Sequence, residues 1–187
     1  MRAFIAFELP DGVRGELAAV SSRLQRQLAG TPWRWVPPEN MHLTLQFLGE
    51  VEEAQMNGIV AAMQAAAADH APMPVHLDGL GAFPNPRRPR VLWAGLAAPP
   101  GLAELQAKLS AVLDELGFPP ERSRFTPHLT LARARGQAAP GVAEALTAEA
   151  PQRVSAALSE IVLFESQLKR GGAVYNPLVR APLRSEG

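Results

Sequence analysis

Asn40-Met41-His42-Leu43-Thr44-Leu45-Gln46-Phe47-Leu48-Gly49 has a counterpart in Phe125-Thr126-Pro127-His128-Leu129-Thr130-Leu131-Ala132-Arg133, and the pair decides how this chain is read. Each stretch contains His-Leu-Thr-Leu, one copy in each half of the 187 residues. The chain has four histidines, so half of them sit in this repeat. Residues 41–48 and 124–133 read as strands, and successive side chains of a strand point to opposite faces. His42 and Thr44 therefore share one face, and Leu43 and Leu45 the other. His128, Thr130, Leu129 and Leu131 divide in the same way. The leucines supply a core side. The His-Thr faces are left for water, a ligand or each other.

Working outward, residues 2–8 alternate and are rich in Phe and Ile, which predicts a strand. Pro10-Asp11-Gly12 opens a helix with Val13, Leu17, Val20, Leu24 and Leu28 at helical spacing, and Gly30 stops it. Strands are expected at 33–36, 74–79 and 90–96, and helices at 52–69 and 101–116. Residues 80–89, rich in Gly, Pro and Arg, are expected to form a loop, a candidate hinge or mobile arm. Residues 137–150 are expected to be partly helical. Residues 154–168 and 173–179 read as a strand pair across Lys169-Arg170-Gly171-Gly172, and the tail after Pro182 as frayed. Each motif strand thus follows a strand, a helix and a Pro-bearing loop. The expectation is a mixed α+β chain with helices packed on antiparallel sheets.

Two imidazoles and two hydroxyls opposed across a cleft define a chemistry. Imidazole titrates near neutral pH, so one ring can be neutral while the other is protonated. An in-line phosphoryl displacement needs that pair: a base for the nucleophile and an acid for the leaving oxygen. Threonine hydroxyls can donate to the non-bridging oxygens. No metal is demanded by a water or ribose nucleophile and an alkoxide leaving group.

Bulk properties narrow the field. Lys+Arg and Asp+Glu both number 18, so no global field draws nucleic acid to the whole surface. Lys108 and Lys169 are the only lysines; the remaining cations are arginine, within a composition also rich in Ala and Pro. Absence of cysteine excludes disulfides, thiolate nucleophiles and Cys-bound zinc, and is compatible with a cytoplasmic setting. Residues 1–10 do not read as a signal peptide, and the apolar run at 59–68 is far short of a bilayer span, so no membrane association is expected. No metal-ligand spacing and no Gly-rich phosphate loop occur, so neither metal nor nucleotide cofactor is expected.

With both motifs read, the chain resembles the two-histidine phosphoesterase superfamily, and within it the bacterial and archaeal RNA 2′,3′-cyclic phosphodiesterases (LigT-like, historically 2′-5′ RNA ligases). The matching text includes Arg2-Ala3-Phe4-Ile5-Ala6-Phe7, both motif stretches, Arg90-Val91-Leu92-Trp93-Ala94-Gly95 and Tyr175-Asn176-Pro177-Leu178. The resemblance implies one two-lobed, pseudo-symmetric α+β domain over 1–187, with antiparallel sheets lining a central cleft and helices outside. It implies hydrolysis of RNA 2′,3′-cyclic phosphate ends, or of a small cyclic nucleotide, to 2′-phosphates. His42, Thr44, His128 and Thr130 would form the phosphate site, with His128 the proton acceptor and His42 the proton donor to O3′. Only the resemblance gives that order, because the repeat is symmetric. The departure at Asn176, where the family commonly has Thr, touches nothing central. Ligation through 2′-5′ linkages and end-binding without turnover are the alternative functions. A monomer is the default state.

Phe47 and Arg133 each lie five positions after their motif histidine. That odd offset puts them on the leucine face of an ideal strand, which would bury Phe47 and leave Arg133 a solvated strand end. A bulge would instead turn both to the cleft, Phe47 toward base or ribose and Arg133 toward phosphate or base. Tyr175, the only tyrosine, is either a stacking platform or a half-buried strand residue. Trp33 and Trp35 are expected to pack, and His70 and His76 to lie outside the chemistry.

Overall fold

The computed structural model describes residues 1–137 and 140–185. In β1 (Arg2–Glu8) the run Ala3 to Phe7 is buried, because apolar groups cover both faces of the strand. Ala3, Ile5 and Phe7 enter the main core; Phe4 and Ala6 enter a smaller cluster with Val162 and Phe164. Pro10 precedes α1 (Asp11–Gln27), which buries Val13, Leu17, Val20 and Leu24 along one stripe. Gly30, at φ 82°, lets the chain turn back where a side chain would be strained. β2 (Trp33–Trp35), a 3₁₀ turn at Pro38–Asn40 and the first motif strand, β3 (His42–Glu50), follow.

A second 3₁₀ turn (Glu53–Gln55) leads into α2 (Met56–Ala68). β4 (Met73–Phe83) and β5 (Val91–Ala97) pair as a hairpin. α3 (Pro100–Glu115) starts on a proline, which suits the first helical position. β6 (His128–Ala134) is the second motif strand. α4 (Val142–Ala148), β7 (Ser155–Leu158), β8 (Glu160–Lys169) and β9 (Gly172–Pro182) complete the chain.

The strands form two antiparallel sheets, ordered β3-β1-β8-β9 and β2-β6-β5-β4-β7. The pseudo-symmetry is explicit in this order. β3 pairs with β1 after the excursion through α1, as β6 pairs with β5 after α3, and each inner strand has a further antiparallel neighbour, β8 or β4. The lobes are also interlaced: β2, from the first half, edges the second sheet, and β8 and β9, from the chain end, complete the first. One main core draws Ile5 and Phe7 from one sheet and Leu129 and Leu131 from the other.

Several expectations shift. The strand expected at 74–79 runs on to Phe83, because a bulge between Leu77 and Leu80 absorbs Asp78 and Gly79 without ending the pairing. Residues 80–89 are therefore no hinge between halves; the remainder is the hairpin connection, closed by Arg90 N–H donating to the Phe83 carbonyl. The strand expected at 154–168 is two, β7 in one sheet and β8 in the other, with Ser159 at the crossover. β3 continues through Gly49 to Glu50, and β6 begins only at His128, because Pro127 brings no N–H to a ladder. The tail does not fray at once: Leu183 is buried and donates to the Ser159 carbonyl, and the Arg184 N–H donates to the His70 carbonyl. Residues 137–150, expected to be partly helical, hold the helix Val142–Ala148; 138–139 and the end of the tail, 186–187, lie outside the described residues. No described helix is long and apolar enough to cross a membrane.

Candidate active site

Both motif strands carry a bulge at the same place. Opposite β1, Ala6 pairs with Thr44 and Ile5 with Gln46, leaving Leu45 as the extra residue. Opposite β5, Trp93 pairs with Thr130 and Leu92 with Ala132, leaving Leu131. An extra residue reverses the side-chain parity beyond it. Leu43, Leu45, Gln46 and Leu48 are buried, while Phe47 is 52% exposed and joins the face of His42 and Thr44. In β6, Leu129, Leu131 and Ala132 are buried and Arg133 is turned out with His128 and Thr130. The bulges bring Phe47 and Arg133 to the cleft.

The bulge at Leu45 is supported from α3, where Gln106 Nε2 donates to the Leu45 carbonyl at 3.3 Å. Gln46, turned inward at 3% exposure, donates through Nε2 to the Phe118 carbonyl at 2.9 Å. That bond ties β3 to the segment that leads to the second motif. Neither role was legible in the sequence; a glutamine inside an otherwise apolar strand pattern is the one signal that pointed to Gln46.

His42, Thr44, Phe47, His128, Thr130, Arg133 and Tyr175 line one cleft of about 780 Å³. Phe83, Arg124 and Phe125 line it as well and were not anticipated. His70 and His76 lie outside it; the His70 ring bonds back to the Ala66 carbonyl. Trp33 is buried and Trp35 packs on the core, as expected. Among the described residues no three His, Cys, Asp or Glu side chains cluster as a metal site would require.

The two imidazoles are held identically. His42 Nδ1 lies 2.7 Å from the Asn40 carbonyl, and His128 Nδ1 lies 2.7 Å from the Thr126 carbonyl. A carbonyl only accepts, so Nδ1 carries the proton in both rings and Nε2 is the nitrogen left free to accept or donate one. The Asn40 side chain in turn donates to the Ala173 carbonyl at 2.8 Å, fixing this shelf to β9.

Their surroundings differ. His42 rests on Phe4 (ring centroids 4.7 Å apart) and meets the edge of Tyr175 at 5.3 Å. Burial in this aromatic nest drives its pKa from the usual 6.5 down to about 4, against the opposing Asn40 hydrogen bond, and the Arg133 charge adds to the fall. His128 meets one ring, Phe83, edge-on at 5.0 Å. Phe83 itself tilts against Trp93 at 5.3 Å. The indole of Trp93 covers Gly81, where any Cβ would overlap the ring. Tyr175 thus stands half-buried against His42 and Phe4 while also facing the cleft.

Comparison with known proteins gives the chain's family. The family model described as LigT like Phosphoesterase matches residues 7–93 and 96–175. The chain is 33% identical over 181 residues to an RNA 2′,3′-cyclic phosphodiesterase of Methanothermobacter thermautotrophicus, covering 95% of this chain and 96% of the relative. It is 37% identical to one of Thermus thermophilus, covering 100% and 92%. A solved structure from Thermus thermophilus superposes with a TM-score of 0.84 at 33% identity, over 100% of both chains. LigT of E. coli, solved in complex with 3′-AMP, superposes with a TM-score of 0.81 at 27% identity, over 98% of each chain.

Proposed function

This chain belongs to the LigT-like phosphoesterase family, and on that premise we propose that it is a metal-independent RNA 2′,3′-cyclic phosphodiesterase that leaves a 2′-phosphate. The observation that carries the reading is the matched pair of histidines in one cleft, each with Nδ1 pinned by the carbonyl two residues earlier and Nε2 left to move a proton.

The cyclic phosphate sits between the two His-Thr pairs. The Thr44 and Thr130 hydroxyls donate to its non-bridging oxygens, where negative charge is held during displacement. His128 Nε2 takes a proton from water as the water oxygen bonds to phosphorus. The P–O3′ bond breaks, and His42 Nε2 delivers a proton to O3′. Phe47 packs against the base or ribose, Arg133 reaches phosphate or base from the other side, and Tyr175 backs His42. The whole of 1–187 acts as one two-lobed unit. Each chain holds both halves of the site, so a monomer suffices, and RNA ends in the cytoplasm are its substrates.

His42 is neutral at physiological pH in the empty site, which suits a base better than a donor. The substrate resolves this. A unit negative charge about 4 Å from the ring contributes about 4 kcal/mol at an effective dielectric of about 20, equivalent to about three pK units. The bound phosphodiester anion raises the pKa of the His42 ring and favours its protonated form, so the donor is loaded when there is something to protonate. The Arg133 charge that pushes the pKa down is offset by the same anion.

A change of leaving group tests the assignment. Loss of a general acid matters little when the leaving group is a nitrophenolate, which needs no proton. His42→Ala is expected to lose about 10²–10⁴-fold on the cyclic phosphate and far less on a nitrophenyl phosphodiester, while His128→Ala loses on both. The opposite pattern would reverse the two roles.

A further inference from the structure

We propose that Arg34 and Arg133 together bind the phosphodiester one linkage upstream of the reacting cyclic phosphate, so that the site is built for the end of an RNA chain. The proposal rests on the phosphodiesterase reading and extends it to the substrate's next phosphate.

β2 pairs with β6 in a register that sets Trp33 against Ala134, Arg34 against Arg133 and Trp35 against Ala132. Residues directly opposite in an antiparallel pair share a face. The tryptophans turn to the core, and Arg34 emerges on the side where Arg133 lines the cleft. Both arginines are exposed. Like charges placed directly opposite repel. Among the described residues neither has an acidic partner within salt-bridge distance. Arg14, Arg23 and Arg180 have acidic partners and most other arginines of the described residues do not; what sets Arg34 and Arg133 apart is that they stand directly opposite each other on one face of the sheet. The pair stands beside the cleft that Arg133 lines, where an anion would relieve the repulsion.

Position fits the purpose. Arg133 lies three residues beyond Thr130 along β6, about 10 Å, and Arg34 one strand further out, about 4.8 Å. A nucleotide chain leaving the site upstream from the cyclic phosphate passes this pair next. Guanidinium forks match a phosphate with two parallel donors each, which a lone lysine could not do. β2 belongs to the first half of the sequence, so the interlacing of the lobes is what places Arg34 here.

The experiment compares wild type and Arg34→Gln on an adenylyl dinucleotide ending in a 2′,3′-cyclic phosphate and on the same compound with a neutral methylphosphonate internucleotide linkage. The expected result is a loss of kcat/KM of about tenfold for the variant on the charged dinucleotide, the scale of one charge-assisted hydrogen bond. No loss is expected on the neutral one. The slope of log(kcat/KM) against log[salt] should become shallower by about 0.7, one single-strand phosphate contact fewer. An equal loss on both compounds, or no loss on the charged one, would overturn the inference while leaving the phosphodiesterase reading intact. Wild type inactive on both compounds would instead remove that reading.

Discussion

Leu45 and Leu131 occupy the same place in the two halves, each the extra residue of a bulge that reverses the parity of its motif strand. The consequence is shared. Phe47 and Arg133, which an unbroken strand would turn away from the His-Thr face, are delivered to the cleft from opposite sides. The His-Thr pairs precede the bulge and the proposed substrate-holding residues follow it, so a single irregularity builds both parts of the site.

Gln106 should matter to this arrangement although it lies on a helix. Replacing it with Ala removes the donor from the Leu45 carbonyl, and an unpaired carbonyl costs about 1–3 kcal/mol where water does not replace the donor. The expected outcome is a fall in urea midpoint together with a raised KM, because Phe47 loses its fixed aim. Unchanged stability and unchanged KM would show that the bulge holds without it.

The titration of His42 can be followed by NMR of the imidazole carbons. In the free protein it should titrate at about 4. Adding inorganic phosphate or a 2′-nucleotide should raise that value by more than about one unit, given the strength of a nearby anion's field. Arg133→Gln should raise it in the free protein, because the Arg133 charge contributes to the depression, though less than burial does. A free-state value at the usual 6.5, insensitive to phosphate, contradicts the proposed loading of the donor.

The same shift links stability to pH. His42 has a lower pKa folded than unfolded, so between about 6.5 and about 4 the unfolded chain binds the extra proton. The stabilisation of the neutral ring is complete above the unfolded value and disappears as pH falls toward the folded one. The difference is at most about 3 kcal/mol, lessened by the ring's partial exposure. Urea midpoints at about pH 7.5 and about pH 4.5 should therefore differ more for wild type than for His42→Gln. Equal differences would remove His42 from the account of acid sensitivity.

Most of this fold could be read from local pattern. Val13, Leu17, Val20 and Leu24 announce α1, and the repeated His-Leu-Thr-Leu announces both the pseudo-symmetry and the residues at its centre. The parts that were not legible are set by tertiary pairing. Nothing local marks Ser159 as the point where one apparent strand changes sheet, nor Asp78-Gly79 as a bulge that lets β4 continue. The inequality of the two histidines was equally invisible. The motifs are identical in sequence, and it is Phe4 and Tyr175, distant in the chain, that bury His42. Phe83 beside His128 and Arg34 beside Arg133 likewise depend on strand neighbours that only the assembled sheets define.

In the proposed mechanism one cleft divides proton transfer between His42 and His128. Its most direct test is single-turnover hydrolysis of a short RNA ending in a 2′,3′-cyclic phosphate, in EDTA, by wild type, His42→Ala and His128→Ala, with the product end separated against 2′- and 3′-phosphate standards. The predicted result is a 2′-phosphate product from the wild type and a rate at least about a hundredfold lower in each variant. A 3′-phosphate product, or a wild-type rate in either variant, would contradict it.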